Sequence, residues 1–192
     1  MKIAIDVVGV LLDNIEIFIK IYNETFKTQH VKEDIKRWDF YEELNLTAEE
    51  FITFFYKTME HPEEIPFIDD DALIYMEKLN KMHEVHILSA LDSKCRNSLE
   101  KQLELHDLKK DIHYKEMIVV PETPYDVKLT YEYHVYVDDN PNLVEPIKKL
   151  KDRFLLLFNQ PWNQDSTCEH NVIRVYNWKE IFKIIQNIEI TT

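Results

Sequence analysis

Four places in the chain put a group able to act on phosphorus at the end of an apolar run or just before one. Asp6 follows Lys2-Ile3-Ala4-Ile5, Ser89 follows Val85-His86-Ile87-Leu88, and Asp138-Asp139 follow Val135-Tyr136-Val137. Lys128 lies on the approach to that last run. A carboxylate so placed can attack phosphorus and split ester hydrolysis into two steps through an aspartyl-phosphate. A serine hydroxyl can hydrogen-bond a phosphoryl oxygen. Adjacent carboxylates repel each other, and a hard, oxygen-seeking cation such as Mg²⁺ relieves that repulsion while keeping sites for water and phosphate. A lysine can neutralise phosphate and nucleophile together. Each residue also has a plainer reading. Asp and Ser cap helices, an Asp pair before Asn140-Pro141 suits a turn, and Lys128 is one of many lysines. What sets the group apart is its order, Asp, Ser, Lys, Asp-Asp, with all but the lysine at a strand end.

The elements that must position these groups alternate in type. Lys2 to Val7 reads as a strand, and Ile15, Phe18, Ile19, Tyr22 and Phe26 then recur at helical spacing. Residues 30–67 turn aromatic and acidic, with Trp38-Asp39-Phe40-Tyr41 and a helix announced by the Thr47-x-x-Glu50 capping box. Beyond Pro66 the pattern predicts helices over 70–81, 93–105, 141–150 and 178–187, and strands over 84–89, 117–120, 133–138, 154–158 and 172–175. Strands alternating with helices predict an α/β fold, a mostly parallel sheet covered on both faces. In such sheets ligands gather at the carboxyl ends of the strands, where Asp6, Ser89 and Asp138-Asp139 fall.

Composition narrows the partners. With 192 residues the chain has material for one core and a small insertion. A net charge of -13 opposes any role in coating DNA or RNA, while a small anion remains accessible through a metal and directed N–H groups. Cys95 and Cys168 lack the spacing of a zinc or redox site. No run approaches the ~18 apolar residues of a membrane span, and Met1 to Ile5 lead directly to Asp6, so a cytoplasmic location is expected. The single glycine, Gly9, follows the first strand, where a tight turn or a close ligand approach would require it. The acidic run Asp69-Asp70-Asp71 reads as a solvated helix start; an interaction protein using an acidic face is the least supported alternative.

The ordered set Asp6, Ser89, Lys128, Asp138-Asp139 resembles the four motifs of the haloacid dehalogenase (HAD) phosphohydrolase superfamily. The resemblance implies a three-layer, Rossmann-like core over residues 1–13 and 68–192, with a small helical cap over 14–67 inserted after the first strand. A closer resemblance is to the cytosolic type C 5'-nucleotidases, 5'(3')-deoxyribonucleotidase-like proteins, and related bacterial nucleotidases. It is carried by Lys32-Glu33-Asp34-Ile35-Lys36-Arg37-Trp38-Asp39-Phe40, by Leu157-Phe158-Asn159-Gln160-Pro161-Trp162-Asn163, and by the ending from Asn171 to Ile181. That similarity implies Mg²⁺-dependent removal of phosphate from nucleoside monophosphates. Asp6 would be the nucleophile; Ser89, Ala90 and Lys128 would meet the phosphate; Asp6, Asp138, Asp139 and the backbone carbonyl of Val8 would hold the metal. Trp38, Phe40 and Tyr41 are candidates to hold the base, with packing of the cap as the other reading, and His61 and Arg37 are either substrate contacts or solvent-exposed.

One position departs from this family pattern. The residue two after the nucleophile is normally a second Asp, which protonates the leaving oxygen and then activates water; here it is Val8. Loss of general acid–base catalysis costs about 10²–10⁴-fold in rate. The sequence therefore predicts an impaired phosphomonoesterase or, alternatively, an inactive protein of the same fold that binds nucleotide or phosphate. Val8 would then belong to a low-activity homologue, to a deliberate substitution, or to an enzyme whose leaving group needs no proton. Asn142 is a second departure, because relatives often carry an acid near it.

Overall fold

The computed structural model describes the fold of residues 1–191 and the side chains of residues 1–188. Six strands form one sheet: β1 (Lys2–Ile5), β2 (Glu84–Ala90), β3 (Glu116–Val120), β4 (Val135–Asp138), β5 (Phe154–Phe158) and β6 (Val172–Val175). Every pairing is parallel and the order is β3-β2-β1-β4-β5-β6. The order reverses at β1, which lies between β2 and β4 and so creates the crevice where α/β sheets bind ligands.

Side-chain alternation explains why both faces are covered. Ile3, Ile5, Val85, Ile87, Val135 and Val137 point to one face, where α3 (Ala72–Met82), α4 (Arg96–Leu105) and α6 (Trp178–Thr191) bury Met76, Leu79, Leu99, Leu103, Ile181 and Ile185 against them. Ala4, Leu88, Tyr136, Leu155 and Leu157 point to the other face and meet Leu129, Leu143, Val144 and Ile147. The predicted helix over 141–150 is the element most changed. A 3₁₀ turn at Pro141–Leu143 leads into α5 (Val144–Ile147), a single turn that holds Pro146. Proline lacks the N–H needed to extend a helix ladder, so the run stops short.

Residues between β1 and α3 build a second, smaller core. Phe18, Tyr22, Phe40, Leu44 and Phe54 pack together from α1 (Asn14–Phe26), the 40–46 loop and α2 (Ala48–Glu60). The predicted capping box opens α2: Thr47 Oγ1 accepts from the Glu50 N–H, and the Glu50 carboxylate accepts from the Thr47 N–H at 2.8 Å. The two chain passages at the base of this segment are joined by backbone bonds from Asp13 N–H to Pro66 O (2.9 Å) and from Ile68 N–H to Leu11 O (3.0 Å).

Candidate active site

Asp6 extends β1 by one hydrogen bond, its N–H donating to Val137 O at 3.0 Å, so it stands at the crevice with its backbone still fixed to β4. Its side chain does not cap α1, a task taken by Asp13, which accepts from the Glu16 N–H. Asp6 Oδ1 instead accepts from the Ser89 hydroxyl (2.8 Å) and from the Val7 N–H (2.8 Å), while Oδ2 pairs with Lys128 Nζ at 2.7 Å. Ser89 is likewise no cap, because Asp92 caps the next turn. Lys128, far from being a surface lysine, is 1% exposed in the 3₁₀ turn Val127–Thr130, and its ammonium also meets Asp138 Oδ2 at 2.6 Å.

The Asp pair keeps both of its readings. Asp138 Oδ1 accepts from the Asn140 N–H, as a turn-forming Asp would, while Oδ2 faces Lys128. Asp139 accepts from Trp162 Nε1 on Oδ2 (3.0 Å), and its Oδ1 is buried without a hydrogen-bond partner. Carboxylate oxygens of Asp6, Asp138 and Asp139 lie within 4.8 Å of one another. Three buried carboxylates thus lie around one ammonium, which pairs with two of them, Asp6 and Asp138. Burial, with the neighbouring Asp6 charge, pushes Asp138 up to about 6 against the pull of Lys128. Burial and the charges of Asp138 and Asp6 push Asp139 well above the usual carboxylate range. For Lys128 burial works toward deprotonation, and the Asp138 and Asp6 charges overcome it and raise its pKa. An orphaned buried oxygen, an oxygen-only donor set and an excess of negative charge together fit a hard divalent cation.

Gly9 is required here for two reasons. Its φ is +80°, and a Cβ would overlap Asp139 Oδ2 and lie 2.6 Å from Asp139 Cγ. Its carbonyl accepts from Gln160 Nε2 at 2.7 Å. Asn163 Nδ2 donates to Asp139 O (2.9 Å) and Phe158 O (2.8 Å), so Gln160, Trp162 and Asn163 form a bracket around the Gly9–Asp139 contact. Nothing in the spacing of those three residues announces this role, although the segment is part of the family resemblance.

Above the crevice lies a cavity of about 310 Å³. Asp6, Val8, Ser89, Ala90, Lys128 and Asp139 line it from the sheet edge, and Trp38, Phe40 and Tyr41 from the small helical core. Val8, with no group able to transfer a proton, therefore lines the cavity together with Asp6. Phe40 is mainly a packing residue, 6% exposed and edge-on to Phe18 and Phe51, whereas Trp38 is half-buried with its ring against Tyr125. His61 and Arg37 are exposed and lie outside the cavity lining, facing Glu63 and Glu64, and Glu42 and Glu43, respectively. Asn142 bonds to Asn140 and is outside the lining too. The loop after β3 adds Glu122, Thr123 and Tyr125, which periodicity does not single out.

This sheet order, with helices inserted after β1, is the HAD fold. A haloacid dehalogenase-like family hydrolase from Xanthomonas campestris superposes with a TM-score of 0.64 at 13% identity, covering 100% of this chain and 96% of that one. The HAD-hydrolase YfnB from Bacillus subtilis, whose structure is bound to magnesium, gives 0.60 at 13% identity over 96% and 97% of the two chains. Residues 1–190 match the family described as 5' nucleotidase, deoxy (pyrimidine), cytosolic type C protein, and the chain belongs to that family. A nucleotidase of Clostridium acetobutylicum is 24% identical over 196 aligned residues, 98% of this chain and 95% of that protein. No helix among the described residues is long and apolar enough to cross a membrane.

Proposed function

We propose that this protein is a Mg²⁺-dependent phosphomonoesterase of nucleoside monophosphates whose turnover is limited by Val8, working in the cytoplasm. The observation that carries this reading is the convergence of Asp6, Ser89, Lys128 and Asp139 on one cavity beside the β1–β4 crevice, with Asp138 joined to them through Lys128 and the carboxylate cluster. Residues 14–67 act as the cap and residues 1–13 and 68–192 as the core.

Asp6, Asp138, Asp139 and the Val8 carbonyl would hold the metal, with Ser89, Ala90 and Lys128 facing the phosphate. When bound, Mg²⁺ offsets the negative charge shared by the carboxylates and the incoming phosphate. An Asp6 oxygen attacks phosphorus, the ester P–O bond breaks, and an aspartyl-phosphate and an alkoxide result. That alkoxide needs a proton. Val8 cannot give one, nor can it take a proton from the water that must later cleave the aspartyl-phosphate. A nucleotide-binding protein that does not turn over is the second reading, and the place of Val8, which has no titratable group, in the cavity lining is what favours it.

Phosphate release from nucleoside monophosphates and from p-nitrophenyl phosphate, with Mg²⁺, separates the two. We expect Val8→Asp to raise release from nucleotides by about 10²-fold or more, and to raise release from p-nitrophenyl phosphate as well, because p-nitrophenolate leaves without a proton but the water that cleaves the aspartyl-phosphate still needs a base. Inactivity of both proteins on every substrate would overturn the phosphatase reading in favour of binding alone.

A further inference from the structure

The cavity wall away from the sheet edge combines aromatic rings with negative charge. Trp38, Tyr41, Phe51, Phe55, Tyr56 and Tyr125 line it, and the charged residues among them are Asp39 and Glu122. Among the described residues lining the cavity, Lys128 is the only cation, and it is committed to Asp6 and Asp138.

The hydrogen-bonding capacity of this wall is biased toward accepting. Tyr56 Oη donates to Asp92 Oδ2 at 3.0 Å, and Tyr125 Oη donates to Asp39 Oδ1 at 3.0 Å. A phenol has one hydrogen to give, so both hydroxyls keep only lone pairs for a ligand. Burial and these bonds push both phenols up to about 12, and the Glu122 charge beside them adds to that rise. Glu122 takes a hydrogen bond from the Asp92 backbone and has further acceptor capacity. Thr123 and Tyr41 hydroxyls can give or accept, and the Trp38 indole N–H is the one obligate donor among these side chains. Glu122 and Asp39 are both exposed, which places them at the mouth of the cavity.

Resting on the nucleotidase reading, we propose that Glu122 makes this site selective for bases that carry an exocyclic amine, cytosine over uracil and adenine over hypoxanthine. Cytosine presents an amino donor where uracil presents a carbonyl acceptor. An amine satisfies the Glu122 carboxylate, whereas a carbonyl sets two acceptors against each other and leaves both without a hydrogen. The aromatic wall stacks either ring equally and so does not discriminate. Because Glu122 is solvent-exposed, the expected preference is modest, about fivefold or more.

Calorimetric titration of the full chain in Mg²⁺ with CMP and UMP, then AMP and IMP, tests this whether or not the protein turns over. The amino member of each pair should bind about fivefold or more tightly. Glu122→Gln, whose amide both gives and accepts, should narrow the ratio, chiefly by strengthening UMP and IMP. Equal affinities within the pairs, or a ratio unchanged in the variant, would overturn the proposal while leaving the nucleotide site intact. Binding of inorganic phosphate without any mononucleotide would also overturn it. Failure of all of these ligands to bind would bring down the nucleotidase reading itself.

Discussion

Lys128 is the residue on which the local charge balance turns. It is fully buried, and two of the three carboxylates in the cluster reach its single ammonium. Removing one partner of a buried ion pair leaves an uncompensated charge, which typically costs about 3–5 kcal/mol. We therefore expect Lys128→Met to lose stability on that order in denaturant unfolding without metal. Added Mg²⁺ should recover part of the loss, because it supplies positive charge to the same carboxylates. A variant as stable as the parent in the absence of metal would show that the ammonium is not what holds the cluster together.

At the level of elements, the turn after β5 both lines the cavity, through Trp162, and supports the site by hydrogen bonds. Trp162 donates to Asp139 and also lies under Lys32 Nζ, 5.5 Å from the ring centroid; Lys32 in turn pairs with Asp13, the cap of α1. Groups that orient a metal-binding carboxylate typically contribute 10–100-fold in affinity. Trp162→Phe keeps most of the packing but removes the N–H, so it should weaken Mg²⁺ binding by about tenfold or more in a direct titration. Unchanged affinity would mean that Asp139 is held by Gly9 and Asn163 alone.

Little of this bracket is legible in the sequence. Strand ends are readable because Asp6 interrupts one apolar run and Asp138-Asp139 end another, and β5 and β6 fall where the pattern predicts them. Gln160, Trp162 and Asn163 act through contacts with Gly9 and Asp139 that are remote in the chain, and periodicity carries no such information. The same holds for Glu122 and Tyr125, whose loop meets the small helical core through the Tyr125–Asp39 bond. Lys128 is readable only by its place before Asp138; its burial follows from the turn at 127–130, which periodicity leaves undefined.

The whole molecule carries a net charge of -13 and concentrates three buried carboxylates at one crevice. A cation bound by that cluster would stabilise the fold. A ligand that binds only the folded state at 100 times its Kd adds about 2.7 kcal/mol. For a chain of this size, about 2–4 °C per kcal/mol then predicts a rise in Tm of roughly 5–10 °C with saturating Mg²⁺. Asp139→Asn should abolish most of that rise while leaving the metal-free protein at least as stable as the parent, since it removes one of the repelling charges. A metal-free variant clearly less stable than the parent would argue that Asp139 is a structural partner of Trp162 first.

By the proposed mechanism, Asp6 is a nucleophile in a site that lacks the group needed to finish the reaction. p-Nitrophenyl phosphate bypasses the proton missing in the first step, but Val8 still offers no base for the second. Acid-quenching the unmodified protein after incubation with that substrate and Mg²⁺, followed by mass spectrometry of its peptides, tests this directly. The expected result is a phosphoryl group on Asp6, absent when Mg²⁺ is withheld. An unmodified Asp6 peptide, or a phosphoryl group on another residue, would contradict it.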